Sequence, residues 1–127
     1  MIRDEIIKSA AGEKEADLLL TNARIINVFS GEIVDGDIAI AGGYIVGFGA
    51  YSAKKTVDMK GRFVCPGFID AHVHIESSMT CITEFARAII PFGTTTVFAD
   101  PHEIANVLGA DGIKYMLESS KNQPMKK

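Results

Sequence analysis

Hydrophobic and polar positions along this chain change period twice, which divides it into three stretches. In the first, Ile2, Ile6, Ile7 and Ala10 recur at helical spacing while Arg3, Glu5 and Lys8 fall off that stripe. The pattern predicts a short amphipathic helix over 2–12, stopped at Gly12. Its polar face lacks the basic excess of a membrane-surface helix, so the apolar stripe reads as a docking face. Residues 16–65 follow a β pattern, with apolar and β-branched runs at 18–21, 24–29, 33–40, 44–49, 56–59 and 63–65. Ser30-Gly31 and Lys60-Gly61 turn the chain, and Gly42-Gly43 is a two-residue hairpin connection of the kind that tolerates positive φ. A glycine inside 44–49 weakens that strand or marks a bulge. From residue 67 onward, strand and helix alternate, the habit of parallel α/β folds. A strand at 68–73 precedes a helix on which Ile82, Phe85, Ala86 and Ile89 share one stripe, ended by Pro91 and Gly93. A second, buried strand is expected at 94–99. Helical pieces at 104–108 and 113–117 follow, broken at Gly109-Ala110-Asp111-Gly112, with Asp111 placed to cap the second. That order predicts one right-handed β-α-β crossover.

Composition narrows the class without naming a function. At 47% hydrophobic and 23% charged residues the chain is of ordinary globular make-up. A net charge of −3 leaves no basic footprint for nucleic acid. No apolar run reaches the length of a membrane span, and the charged start Met1-Ile2-Arg3-Asp4-Glu5 is unlike a secretory signal. Cys65 and Cys81 stand alone, too few for a disulfide framework or a structural zinc site, and are expected to be reduced and partly buried. The expected location is the cytoplasm.

The chemistry concentrates at Pro66-Gly67-Phe68-Ile69-Asp70-Ala71-His72-Val73-His74, where two of the three histidines of the chain fall. Residues two apart on a strand share a face, so His72 and His74 present neighbouring imidazoles. Such a pair at a strand end can grip one divalent ion. The plainer alternative has one histidine hydrogen-bonded in a core and the other facing solvent.

The flanks favour the metal reading, because this stretch resembles the first barrel strand of the amidohydrolase superfamily of metal-dependent hydrolases. Ile75-Glu76-Ser77-Ser78-Met79, Pro91-Phe92-Gly93-Thr94-Thr95-Thr96-Val97 and Ala99-Asp100-Pro101-His102-Glu103-Ile104-Ala105-Asn106-Val107 then resemble the adenine deaminase family. Upstream, Asp17-Leu18-Leu19-Leu20-Thr21-Asn22-Ala23 and Gly36-Asp37-Ile38-Ala39-Ile40 extend the similarity to roughly residues 16–125.

The resemblance implies an α/β fold with a β-rich amino-terminal part. Its expected parts are a helix at 1–15, a portion of a composite β-sandwich at 16–65, and the first two β/α units of a TIM-like (β/α)8 barrel at 66–127. Such a barrel takes about 250 residues, so a chain of 127 is expected to be a truncated amino-terminal portion, inactive alone. The implied reaction is adenine and water to hypoxanthine and ammonia, a step of purine salvage, with the water activated by a divalent metal. The family's site is binuclear, takes manganese, iron or zinc, and draws its further ligands from later strands, so the site is expected to be incomplete here. The metal ligands are expected at His72 and His74. Glu76 and Asp100 are the candidate catalytic carboxylates, and Ser77, Ser78, His102 and Glu103 the candidate substrate-binding residues. Each has a rival. Glu76 can be a plain loop carboxylate, Ser77 and Ser78 can make a turn, and Glu103 can favour the following helix through its dipole.

Other readings remain open at this stage. The zinc-dependent cytidine deaminase pattern, His-x-Glu followed by Pro-Cys-x-x-Cys, is half matched by His74-Ile75-Glu76, but no cysteine pair follows. Another amidohydrolase, acting on a cyclic amide or another purine-like substrate, keeps the fold and changes the pocket. A non-catalytic module could instead self-associate, or pair with a missing carboxyl-terminal portion, through open sheet edges.

Overall fold

The computed structural model describes residues 2–126, residue 2 by its backbone alone, so the predicted place of Ile2 on the helical stripe lies outside the described side chains. The chain forms two compact units, Met1–Pro66 and Gly67–Lys127.

In the first unit, helix α1 (Ile2–Ala10) precedes strands β1 (Leu18–Asn27), β2 (Glu32–Ala41), β3 (Tyr44–Phe48), β4 (Thr56–Asp58) and β5 (Phe63–Val64). These make one sheet of order β3-β2-β1-β4, with β5 also pairing with β1. β1 to β3 are antiparallel neighbours, whereas β4 and β5 run parallel to β1. The Gly42-Gly43 connection has φ of 58° and 81°, the left-handed pair that a tight hairpin demands. The bulge expected in the glycine-containing strand is present: Ala39 pairs with Gly47 and Ile40 with Ile45, which leaves Val46 over. Alternation makes both faces of the sheet apolar. One carries Ala16, Leu19 and Ala39, the other Ala23, Ile25 and Ile38.

Two expectations are corrected here. The runs at 18–21 and 24–29 are one strand, bulged at Asn22, whose φ is 54°. That strand ends at Asn27 because the Asn27 side chain accepts the Phe29 N–H at 3.0 Å, turning the chain and leaving Phe29 99% exposed. In addition, both cysteines are exposed rather than partly buried, and both are free.

Asp17 ties the hairpin down, accepting the Gly42 N–H at 2.8 Å and Lys54 Nζ at 2.6 Å. The Lys54 ammonium and the Gly42 N–H together hold the Asp17 carboxyl below its usual 3.8. A depressed carboxylate contributes stability above its unfolded value and loses it as pH falls through the folded one. Urea midpoints of the parent and an Asp17→Asn variant are therefore expected to separate above pH 3.8 and to converge below it. Equal midpoints throughout would show the pair to be inert.

The second unit holds β6 (Phe68–Val73), α2 (Ile82–Ile89), β7 (Thr94–Ala99), α3 (His102–Leu108) and α4 (Ala110–Ser119). β6 and β7 pair in parallel, and their register slips on each strand in turn. On the far side of β7, Lys126 donates its N–H to the Thr95 carbonyl at 2.8 Å and accepts from Val97 at 2.9 Å. The stripe of α2 packs as its spacing predicts: Ile82 and Ala86 join Ile75, Val97, Met116 and Met125 in the core, against Phe85 and Ile89. The buried second strand holds only for Val97, at 0% exposure. Phe68, Ile69 and Phe98 stay exposed, and because Phe68 and Ile69 are consecutive on one strand, both faces of β6 are open at its start.

α3 and α4 meet at Gly109, which has φ 60° and ψ −143° and stands at the N-cap of α4. Asp111 lies inside the first turn of α4 and pairs with Lys114 at 2.9 Å, so it does not cap the helix as expected. Gly112 also lies within the helix, and a Cβ there would stand 2.6 Å from the Ile104 carbonyl oxygen. Alanine gains roughly 1 kcal/mol of helix propensity over glycine, but overpacking against a backbone atom costs about 1–3 kcal/mol. Gly112→Ala is therefore expected to lower the urea midpoint of this unit, and a raised midpoint would mean the helices separate freely.

Candidate metal centre

Parallel pairing brings the two chemical stretches to one edge. The Asp100 N–H donates to the Val73 carbonyl at 3.0 Å, placing the residue after β7 beside the end of β6. His74 follows β6 directly and leads into a 3₁₀ turn over Ile75–Ser78, closed by Met79 in the left-handed region at φ 55°. Among the described residues, all three histidines gather at this carboxyl edge, the usual seat of chemistry in α/β barrels.

His72 Nε2 and His74 Nε2 stand 3.0 Å apart. His74 Nδ1 lies 2.8 Å from the Asp100 backbone oxygen. A carbonyl only accepts, so Nδ1 carries the proton and the Nε2 of a neutral His74 presents a lone pair. Metal–nitrogen bonds of about 2.0–2.1 Å place two ligands of one ion about 3.0–3.4 Å apart. The imidazole pair therefore fits a divalent ion, and the backbone carbonyl on the far nitrogen is the orienting bond such ligands usually make.

Carboxylates surround the pair. His72, His74 and Asp100 offer ligand atoms within 4.8 Å of one another, and so do His74, His102 and Glu103. His102, the first residue of α3, stands with Nδ1 3.1 Å from Asp100 Oδ2, and the two side chains are about half exposed at 53% and 52%. Ser77 donates to Glu103 Oε1 at 2.5 Å. Glu76 Oε1 accepts the Ile104 N–H at 3.3 Å, while its Oε2 is buried without a hydrogen-bond partner among the described residues. The turn after β6 is thus tied to the start of α3 by two bonds. Ser78 is not brought to this group: its hydroxyl bonds the Ile75 carbonyl at 2.6 Å and Thr80 at 2.8 Å, closing its own turn. Sequence reasoning passed over Asp70, whose Oδ1 accepts the His72 N–H at 3.1 Å and braces the strand there. Its signal was its place two residues before His72.

A strand-borne histidine pair in a parallel β/α unit, with carboxylates converging from the next strand end, offers the donors of a divalent-metal site. The Amidohydrolase family model matches residues 63–126, half of the chain, and the chain belongs to that family. Within it, the chain is similar to adenine deaminases. It is 58% identical over 122 residues to the adenine deaminase of Clostridium acetobutylicum, covering 96% of this chain and 21% of that protein. It is 56% identical over 119 residues to that of Geobacillus kaustophilus, covering 94% and 21%. The chain thus spans about a fifth of the length of the curated relatives it matches. Among solved structures, the L-hydantoinase (dihydropyrimidinase) of Arthrobacter aurescens superposes with TM-score 0.55 at 26% identity, over 68% of this chain and 21% of that one. The N-acyl-D-glutamate deacylase of Bordetella bronchiseptica, solved with zinc, does so with TM-score 0.56 at 29% identity, over 66% and 18%. No helix among the described residues is long and apolar enough to cross a membrane.

Proposed function

We propose that this chain forms the opening part of an adenine deaminase, a cytoplasmic enzyme of purine salvage that converts adenine and water to hypoxanthine and ammonia. The observation that carries the reading is the 58% identity to an adenine deaminase across 96% of the chain. In this reading the segment 1–15 carries a docking helix, α1, 16–65 contributes part of a composite sandwich, and 66–127 supplies the first two β/α units of a barrel. His72 and His74 hold one ion of a binuclear site that takes manganese, iron or zinc, and the remaining ligands come from later strands.

When bound, the ion supplies Lewis acidity and a water of lowered pKa. The residues of the chain hold that chemistry in place. The Asp100 carbonyl selects one tautomer of neutral His74, the one that presents its Nε2 lone pair. Glu76, with one buried oxygen unclaimed, is placed to take a proton from the attacking water and return it to the departing amine. Ser77, His102 and Glu103 form a polar edge able to read the ring nitrogens of a purine, and Glu103 is steadied for that by Ser77. Asp100, with a ligand atom within 4.8 Å of those of His72 and His74, is the second candidate catalytic carboxylate.

A chimaera tests the assignment: residues 1–126 replace the matching fifth of the Clostridium acetobutylicum relative. Offered adenine, a hydantoin and an N-acyl-D-glutamate, it is expected to release ammonia from adenine and leave the other two intact. Hydrolysis of the hydantoin in preference to adenine would move the chain to the cyclic-amide branch of the family.

A further inference from the structure

We propose that Asp100 is itself a metal ligand, so that His72, His74 and the Asp100 carboxylate supply three donors of this chain to one divalent cation, with any further ligands coming from later strands. The proposal deepens the metal reading of the histidine pair and rests on it. One ligand atom from each of His72, His74 and Asp100 lies within 4.8 Å of the other two, little beyond the roughly 4 Å that opposite ligands of one ion span at bonds of about 2 Å. A small contraction seats an ion among them.

The surroundings of Asp100 are those of a ligand. The parallel bond from its N–H to Val73 fixes where its backbone lies. Its carbonyl sets the His74 tautomer, and its Oδ2 faces His102 Nδ1 at 3.1 Å. With the Nδ1 proton donated to Oδ2, the other carboxylate oxygen remains for an ion, and His102 acts as a positioning residue. Hydrogen-bonded carboxylates are the usual form of such ligands.

The second donor set, His74, His102 and Glu103, shares His74 with the first. Because Nδ1 is committed to the Asp100 carbonyl, His74 has one lone pair to give, and one ion cannot be held by both sets through it. The first set is favoured because its two imidazole nitrogens already stand at the 3.0 Å of paired ligands, whereas Glu103 already accepts from Ser77.

Titration of the 127-residue chain with Co²⁺ and Zn²⁺, read by calorimetry and by the visible absorption of cobalt, tests this directly. Loss of an outer partner of a ligand costs about 10–100-fold in metal affinity. His102→Gln is expected within that range, while Asp100→Asn and His72→Ala are each expected to exceed it. An Asp100→Asn loss of about 100-fold or less, with His72→Ala still severe, overturns the role of Asp100 and leaves the histidine pair standing. Loss on His102→Gln with none on His72→Ala places the ion in the second set and overturns the proposal. No loss on either histidine variant removes the metal reading of the site itself. Asp100→Cys supplies an independent signal: Co²⁺ binding is expected to bring a near-ultraviolet thiolate charge-transfer band, and binding without that band overturns the proposal.

Discussion

Replacing His72 by alanine in the chimaera is expected to cut adenine deamination by about 10³-fold or more. A catalytic ion is worth several kcal/mol of transition-state stabilisation, and about 1.36 kcal/mol is one decade of rate. Three decades therefore correspond to about 4 kcal/mol, the low end of what losing the ion removes. His74→Ala is expected to match it, because the two Nε2 atoms stand 3.0 Å apart, at the spacing of two ligands to one ion. The double variant is then expected to be no worse than either single one, as with other residues that act as a unit. Steady-state rates at saturating adenine, with manganese added back, read the effect. Losses that multiply in the double variant would mean that the histidines act separately, and a His72→Ala enzyme within tenfold of the parent would remove the pair from the chemistry.

The 127-residue chain alone is expected to bind a divalent ion and yet release no ammonia from adenine above a metal-only blank. Binding and turnover separate here for a geometric reason. Candidate ligands converge from two neighbouring strand ends, but His72, Asp100 and His102 are all open to solvent. Electrostatic stabilisation needs a water-excluded site in which donors are already aimed, and two paired strands enclose none. Productive sites also hold their groups to about 0.5 Å, which a supporting shell must enforce. Ammonia release by the pure chain, abolished by His72→Ala, would show that these two units carry the whole reaction. The exposed Phe29, Phe68, Ile69 and Phe98 further predict self-association of the isolated chain, visible as a concentration-dependent sedimentation coefficient.

Much of this was legible in the residues, and what was not has a common cause. Strand alternation places His72 and His74 together, and the geometry has their rings 4.7 Å apart. The glycine pair at 42–43 marks a hairpin because few other residues accept its two positive φ values. Parallel pairing of 68–73 with 94–99 follows from strand–helix–strand order, and it is what brings Asp100 and His102 to the histidines. The register slips between β6 and β7 leave no trace in a hydrophobic pattern, so the bond from His74 to the Asp100 carbonyl could not be foreseen. Local capture by side chains defeats the pattern in the same way: Asn27 ends a strand that apolar residues alone would carry on to Phe29. Gly112 reads as a break by composition, yet it sits in a helix because α3 passes too close for a Cβ.

The central claim, a metal-dependent adenine deaminase site opened by His72 and His74, is tested most directly by stripping the chimaera with a chelator and returning manganese, iron or zinc while following adenine. Loss of turnover on stripping, and its return with hypoxanthine and ammonia formed in equal amounts, is the predicted result. Adenine turnover that survives removal of the metal, or a folded and metal-loaded chimaera that leaves adenine untouched, would contradict it.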